Sequence, residues 1–294
     1  LGAAMFAMCL LASQKTELSG NVLLTVVPDE ETGGEFGTKW LRDQGYLKGD
    51  WGIVAEPTGM DNIEVGQKGT MGMNLYATGK TAHGSLNPYI GENAIEKLIH
   101  ILPQMYQLRE MKSELHGEQL QVMEESKDRC KAVQKSECVE TIMDHVTVNI
   151  GMIQGGVKRN VVADTAMAEL DVRVPIGISH EAVMKKVDEI IKNSEIEGVY
   201  VTYDNPRGGN YVSVKDSIVT ITQECVEELL GIECAATYQW ASSDTRYFRE
   251  SGIATIQYGP SNTEGIHNYN ETVNVADVIT ACKIYAALIL ELVG

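Results

Sequence analysis

The sequence predicts an α/β protein with a mixed, largely parallel sheet, interrupted by a smaller ferredoxin-like α+β domain. Three observations carry this. Apolar β-branched runs alternate with helical segments over the first 60 residues, as in a parallel sheet with covering helices. The middle of the chain alternates apolar and polar residues, as half-exposed antiparallel strands do. After "PRGGN" (206–210) the α/β rhythm returns. Segments 1–66 and 208–294 are therefore assigned to the α/β domain, and 67–207 to the insert.

In chain order, "LGAAMFAMCLLAS" reads as a buried helix whose small residues allow close packing. It lacks the basic n-region of a signal peptide and is too short to span a bilayer. "NVLLTVV" (21–27) is an unbroken apolar run expected of a strand buried on both faces. "EFGTKWLRDQG" (35–45) is a helix closed by Gly45, and "WGIVAEPTG" (51–59) a strand stopped by Pro57. In the insert, 69–79 is a strand, 93–110 a helix broken at Pro103, and 145–153 and 165–174 are strands. Residues 179–194 form a helix capped by Ser179, and 197–205 the last strand. This β-α-β-β-α-β order is that of a ferredoxin-like module. The charged segment 109–144 carries no motif and is expected to be a solvated hairpin or helix extension. A helix at 214–230, the strand "ATYQW", a helix around "DTRYFRES", the strand "ATIQYG" and a helix over 276–292 complete the α/β domain.

With 294 residues, 44% hydrophobic and 22% charged, the chain has the composition of a soluble globular protein. Its net charge of −17 disfavours nucleic acid and anionic membranes as partners. Six scattered cysteines without a C-x-x-C pair point to a reduced, cytoplasmic setting and give no thiolate zinc site.

The stretch "TVVPDEETGG" sets Asp29, Glu30 and Glu31 side by side. Three adjacent like charges repel, so they form either a solvated turn or a place for a cation. After a buried strand they would lie at the carboxyl edge of a parallel sheet, where α/β proteins bind ligands. Glu56 ends the next strand, and His267 in "EGIHNYNE" follows a late one. Carboxylates and an imidazole there would suit zinc or a similar divalent ion. A carboxylate left free beside metal-bound water could take its proton.

The ordered set "PDEETGGEFG", "AEPTG", "GKTAHGSLNPYIGENAIEKL", "GGVKRNVVADTAMAELDVR", "SSDTRYF", "YGP" and "IHNYNE" resembles the di-zinc amidohydrolase and exopeptidase family. That family includes acetylornithine deacetylase, succinyl-diaminopimelate desuccinylase, aminoacylase and carboxypeptidase G. The resemblance implies a zinc-peptidase-like catalytic domain interrupted by a lid and dimerisation domain. It makes Glu30 the general base, and Glu31, Glu56 and His267 ligands of two divalent ions, zinc foremost and cobalt or manganese as alternates. His83 becomes the lid histidine that stabilises the oxyanion in a partner subunit's site, which implies a homodimer. Asn160, Arg173, Ser243, Arg246 and Gly259 become substrate-binding positions, with Asp244 in the same motif. The implied activity is hydrolysis of small N-acyl amino acids by zinc-activated water. A dipeptidase or glutamate-type carboxypeptidase, a non-catalytic binding relative, and a purely structural role through lid dimerisation are the alternatives.

Two family features are not found. The H-x-D histidine and the bridging aspartate would lie upstream of Leu1, and the chain does not begin with Met. The sequence is thus expected to be N-terminally truncated and to bind two zincs weakly or not at all. A smaller departure is Ala163, where the family often has proline.

Overall fold

The computed structural model describes residues 1–262, 266 and 269–294. His267 lies outside them. The strands are β1 (Trp51–Val54), β2 (Gly59–Gln67), β3 (Gly69–Thr78), β4 (Thr147–Gly155), β5 (Thr165–Val174), β6 (Val199–Asp204), β7 (Asn210–Tyr211), β8 (Ala235–Gln239) and β9 (Ala254–Gly259). The helices are α1 (Gly2–Ser13), α2 (Thr38–Asp43), α3 (Ala94–Met105), α4 (Gly117–Gln134), α5 (Thr141–Asp144), α6 (His180–Asn193), α7 (Ser217–Leu230), α8 (Thr245–Glu250) and α9 (Val275–Val293). The chain divides into two compact units. One comprises Leu1–Gln67, His116–Met143 and Asn210–Gly294, the other Lys68–Leu115 and Asp144–Gly209.

The first unit is built on a mixed sheet in the order β1-β9-β2-β7, with β8 also paired to β2. β1 and β9 run parallel, β2 is antiparallel to β9 and β7, and β8 is parallel to β2. The sequence reading passed over β2, the strand that joins all the others. Its side chains explain why: Asn62, Glu64 and Gln67 are buried polar residues, satisfied or constrained only by residues far along the chain. Asn62 Oδ1 accepts from Thr237 Oγ1 at 3.0 Å, and Gln67 Nε2 donates to Ser242 Oγ at 2.9 Å.

Two expectations for this unit are corrected. Residues 21–27 are not a buried strand: the sheet ends at β1, whose sheet partner is β9, and among the described residues no strand pairs with the run. Leu23 and Val26 are exposed as a result. The segment around α4 is no solvated hairpin belonging to the insert. α4 packs on β8 within the first unit, burying Val122, Met123, Ser126 and Cys130. The Ser126 hydroxyl accepts the Tyr238 N–H at 2.7 Å, and Arg129 grips both oxygens of Asp61 at 2.9 and 3.1 Å. An interface made of serine, cysteine and arginine leaves little apolar periodicity to read. The first helix, α1, is also less buried than expected. Only the Ala3, Ala7 and Leu11 stripe, at i, i+4 and i+8, is covered, and Phe6 is exposed.

The second unit is the ferredoxin-like module that the element order implied, antiparallel throughout in the order β4-β5-β3-β6. Met71, Met73, Leu75 and Ala77 of β3 alternate onto the buried face, with Leu98 and Ile101 of α3 and Val183 and Val187 of α6 in the same core. Ser179 caps α6 by accepting the Ala182 N–H at 3.2 Å. No helix among the described residues is long and apolar enough to cross a membrane.

Glu64 gives the first unit a pH dependence. Burial pushes its carboxyl up to about 8, with the negative charge of Glu56 adding to the rise and Arg129 and Arg249 opposing it. The folded state thus holds a proton that the unfolded chain releases near pH 4.5. This contribution is complete below that value and is lost as the pH rises toward 8. Glu64→Gln keeps the shape without the ionisation. Denaturant unfolding should show the variant gaining on wild type by on the order of a few kcal/mol between pH 5 and pH 8. A difference that does not change with pH would contradict this.

Candidate active site

The acidic triplet sits on a tight loop rather than at a strand end. Asp29 has a left-handed φ of 65°, and Glu30–Thr32 form one turn of 3₁₀ helix behind it. The loop closes on itself. The Asp29 carbonyl accepts the N–H groups of Thr32 and Gly34 at 3.1 and 2.8 Å, and the Glu30 carbonyl accepts that of Gly33 at 2.9 Å. Asp29 Oδ2 accepts the Phe36 N–H at 2.8 Å. Asp29 is therefore a turn-forming residue, as aspartate is in Asx turns. Glu30 is half-buried and Glu31 exposed.

The loop rests on the "SSDTRY" segment, which follows β8 and runs into the first turn of α8. The Gly33 carbonyl accepts from Arg246 Nη2 and from Tyr247 Oη, each at 2.7 Å. Asp244 Oδ2 accepts the Thr38 hydroxyl at 2.6 Å. Burial raises the Asp244 carboxyl above the usual carboxylate range, against the Thr38 hydrogen bond and the Arg246 charge. Its Oδ1 is buried and lies so close to Gly34 that a Cβ there would meet it at 2.2 Å. Gly34 also has φ +67°.

Ser243 and Arg246, expected to touch substrate, are buried within this packing. Ser243 Oγ contacts Gln67 Oε1 at 3.2 Å and Thr245 Oγ1 at 2.6 Å. Arg246 is 8% exposed, and both its terminal nitrogens donate to the protein. Tyr247 and Thr38 were missed by the sequence reading, although Tyr247 adjoins Arg246 in a quoted motif.

Glu56 and Gly259 come together at one end of the sheet. Val54 pairs with Gln257, so the carboxyl ends of β1 and β9 coincide. Gly259 approaches the Glu56 carbonyl so closely that a Cβ would lie 2.7 Å from it. Its requirement for glycine is one of space. Among the described residues no group of three or more His, Cys, Asp or Glu is placed to hold a metal ion. Glu31 and Glu56 alone fall short of the three protein donors of a catalytic zinc centre, so the described residues do not by themselves fit one.

In the second unit, His83 and Asn160 are adjacent. The Gly84 N–H donates to the Asn160 carbonyl at 2.9 Å, and His83 bridges to Val161. His83 Nδ1 accepts the Ser85 N–H at 3.3 Å and lies 2.8 Å from Ser85 Oγ. Arg173 is not near them. It lies eight residues along β5 from Thr165, roughly 27 Å at the rise of an antiparallel strand. There its Nε donates to Asp171 Oδ2 at 2.9 Å.

Residues 65–199 match the peptidase dimerisation domain of the M20 family. The chain carries an M20 peptidase dimerisation domain. Its relatives agree. A succinyl-diaminopimelate desuccinylase of Wolbachia sp. subsp. Brugia malayi is 24% identical over 98% of this chain and 66% of its own length. A probable carboxypeptidase of Aspergillus clavatus is 30% identical over 66% of this chain and 42% of its own. An M20 family metallo-carboxypeptidase of Sulfolobus solfataricus superposes with a TM-score of 0.78 and 19% identity, over 98% of this chain and 74% of that one. Human carnosine dipeptidase 1 superposes with a TM-score of 0.72 and 14% identity, over 98% and 69%. The chain thus spans between about two fifths and just under two thirds of the length of those two curated relatives.

Gly34→Ala tests the tightness of the acidic loop. Strain at positive φ and the contact with Asp244 should lower unfolding stability by at least about 2 kcal/mol. Wild-type stability in denaturant would contradict the packing described.

Proposed function

We propose that the protein is an M20-type amidohydrolase that cleaves the amide bond of small N-acyl amino acids. The observation that carries this is the alignment of 98% of the chain with a desuccinylase, together with this chain's own acidic loop and peptidase dimerisation domain. The named carboxypeptidase relative favours a second reading, cleavage of peptides at a carboxyl-terminal residue. Both are amide hydrolyses and use the same groups.

In this proposal Glu30 takes a proton from water as its oxygen bonds to the amide carbonyl carbon. It returns that proton to the amine when the C–N bond breaks. His83 donates an imidazole N–H to the oxyanion. Asn160, beside it, contributes to the same substrate face. Arg173 holds the substrate carboxylate, exchanging its bond with Asp171 for one with the ligand. The proposed cofactors are two divalent ions, zinc foremost, with Glu31, Glu56 and His267 among their donors; when bound they supply an acidified water. A structural neighbour from Bacillus subtilis is titled a dinuclear metal-binding peptidase.

The separation of His83 and Asn160 from Arg173 along β5 supports a homodimer. One lid cannot bring both ends of a strand to one small substrate, whereas two copies can divide the work. The outer edge of β4 supports the same proposal: among the described residues no strand but β5 pairs with β4, and the side chains of Met152 and Ile153 are exposed.

Hydrolysis of N-succinyl and N-acetyl amino acids, with dipeptides in parallel, tests the proposal. Glu30→Gln should lower kcat at least about a hundredfold with the far-ultraviolet dichroism unchanged. Wild-type turnover in that variant would remove Glu30 from the chemistry.

A further inference from the structure

We infer that Arg246 and Tyr247 are positioning residues that fix the acidic loop through the carbonyl of Gly33, and that Arg246 is not a substrate contact. Two donors converge on one carbonyl oxygen, Nη2 of Arg246 and Oη of Tyr247, both at 2.7 Å. A carbonyl has two lone pairs, and this one is filled by these two donors.

The remaining contacts of Arg246 point the same way. Nη1 donates to Ser242 Oγ at 3.2 Å and to the Ser243 carbonyl at 2.8 Å, and Nη2 also lies 3.3 Å from Tyr247 Oη. Asp244 Oδ1 is 3.6 Å from Nη2, and the guanidinium stacks over the Tyr247 ring at 4.5 Å. A bidentate grip on a substrate carboxylate needs two N–H groups on an open edge. Here both terminal nitrogens face the protein and the side chain is 10% exposed.

The contact reaches the carboxylates because the loop moves as one piece. Gly33 is tied back to Glu30, and Gly34 and Thr32 to Asp29, by backbone hydrogen bonds. Beyond the loop, Thr38 of α2 is held by Asp244 of the same segment. Both ends of the glycine-rich stretch are thus anchored to residues 244–247, and Glu30 and Glu31 stand on the anchored part. The catalytic consequence rests on Glu30 being the base; the anchoring itself does not.

Hydrogen–deuterium exchange on the full chain tests this, with Tyr247→Phe, Arg246→Lys and Arg246→Ala beside wild type. The amides of Thr32, Gly33 and Gly34 should exchange about tenfold faster in Tyr247→Phe and about a hundredfold faster in Arg246→Ala. Arg246→Lys should fall between them, because an ammonium replaces one bond of the fork and not the rest. β2 and β9 should keep wild-type protection. Unchanged loop amides would overturn the inference, and so would equal acceleration of β2 and β9, which would mark a general loss of stability. On any substrate the wild type hydrolyses, kcat should fall in these variants with KM within twofold. A raised KM with unchanged kcat would make Arg246 a substrate contact and overturn the assignment. Should the wild type hydrolyse nothing in the panel, the proposed activity fails while the exchange result still decides the anchoring.

Discussion

Three consecutive carboxylates at Asp29, Glu30 and Glu31 must be held in one conformation although their charges drive them apart, and much of the first unit is arranged around that requirement. The loop answers it with backbone geometry: a left-handed aspartate, a single 3₁₀ turn and two glycines at positive φ. The fold answers it with a guanidinium and a phenol on one carbonyl. Tyr247 links this contact to a small core with Leu47 and Ile253, and its ring lies between Arg246 and Arg42. Arg42 in turn pairs with Glu250, joining α2 to α8. Packing and electrostatics are therefore not separable here. The residue that orients the loop is also the one that fills the cluster beneath it.

The insert follows a different logic. Its core is apolar and regular, with methionine, leucine and valine on alternate positions of long antiparallel strands. Such a sheet is stiff, and its opposite ends present different chemistry: an imidazole and an amide at one, a guanidinium at the other. This polarity along β5 is the ground for the proposed second copy, because one strand cannot bring its two ends together.

Legibility followed from where each element finds its partners. β5 was read to the residue and α6 within one residue at each end, since their alternation, cap and apolar stripe are local. The strand at 254–259 and the helix at 276–292 were equally plain. β2 was missed because Asn62, Glu64 and Gln67 look like surface residues until their distant partners are known. The α4 interface was missed for the same reason: Ser126 and Arg129 meet Tyr238 and Asp61 only in the folded chain. Conversely "NVLLTVV" has the composition of a buried strand, but a strand also needs a neighbour, and among the described residues none pairs with it. At the site, the acidic loop and the "SSDTRY" segment could each be picked out from their residues. That they touch, and that Arg246 is used up in the contact, could not, because 213 residues separate it from Gly33.

Zinc retained per chain, by elemental analysis after saturation and desalting, tests the central claim most directly, with wild type beside Glu31→Gln. Glu31 is proposed as a metal donor, and the described residues offer too few donors for a complete pair of sites. Fewer than two zincs are expected on the wild type, with retention lowered further in the variant. Two zincs on the wild type, undiminished in Glu31→Gln, would mean that the metal site is built from residues given structural roles here.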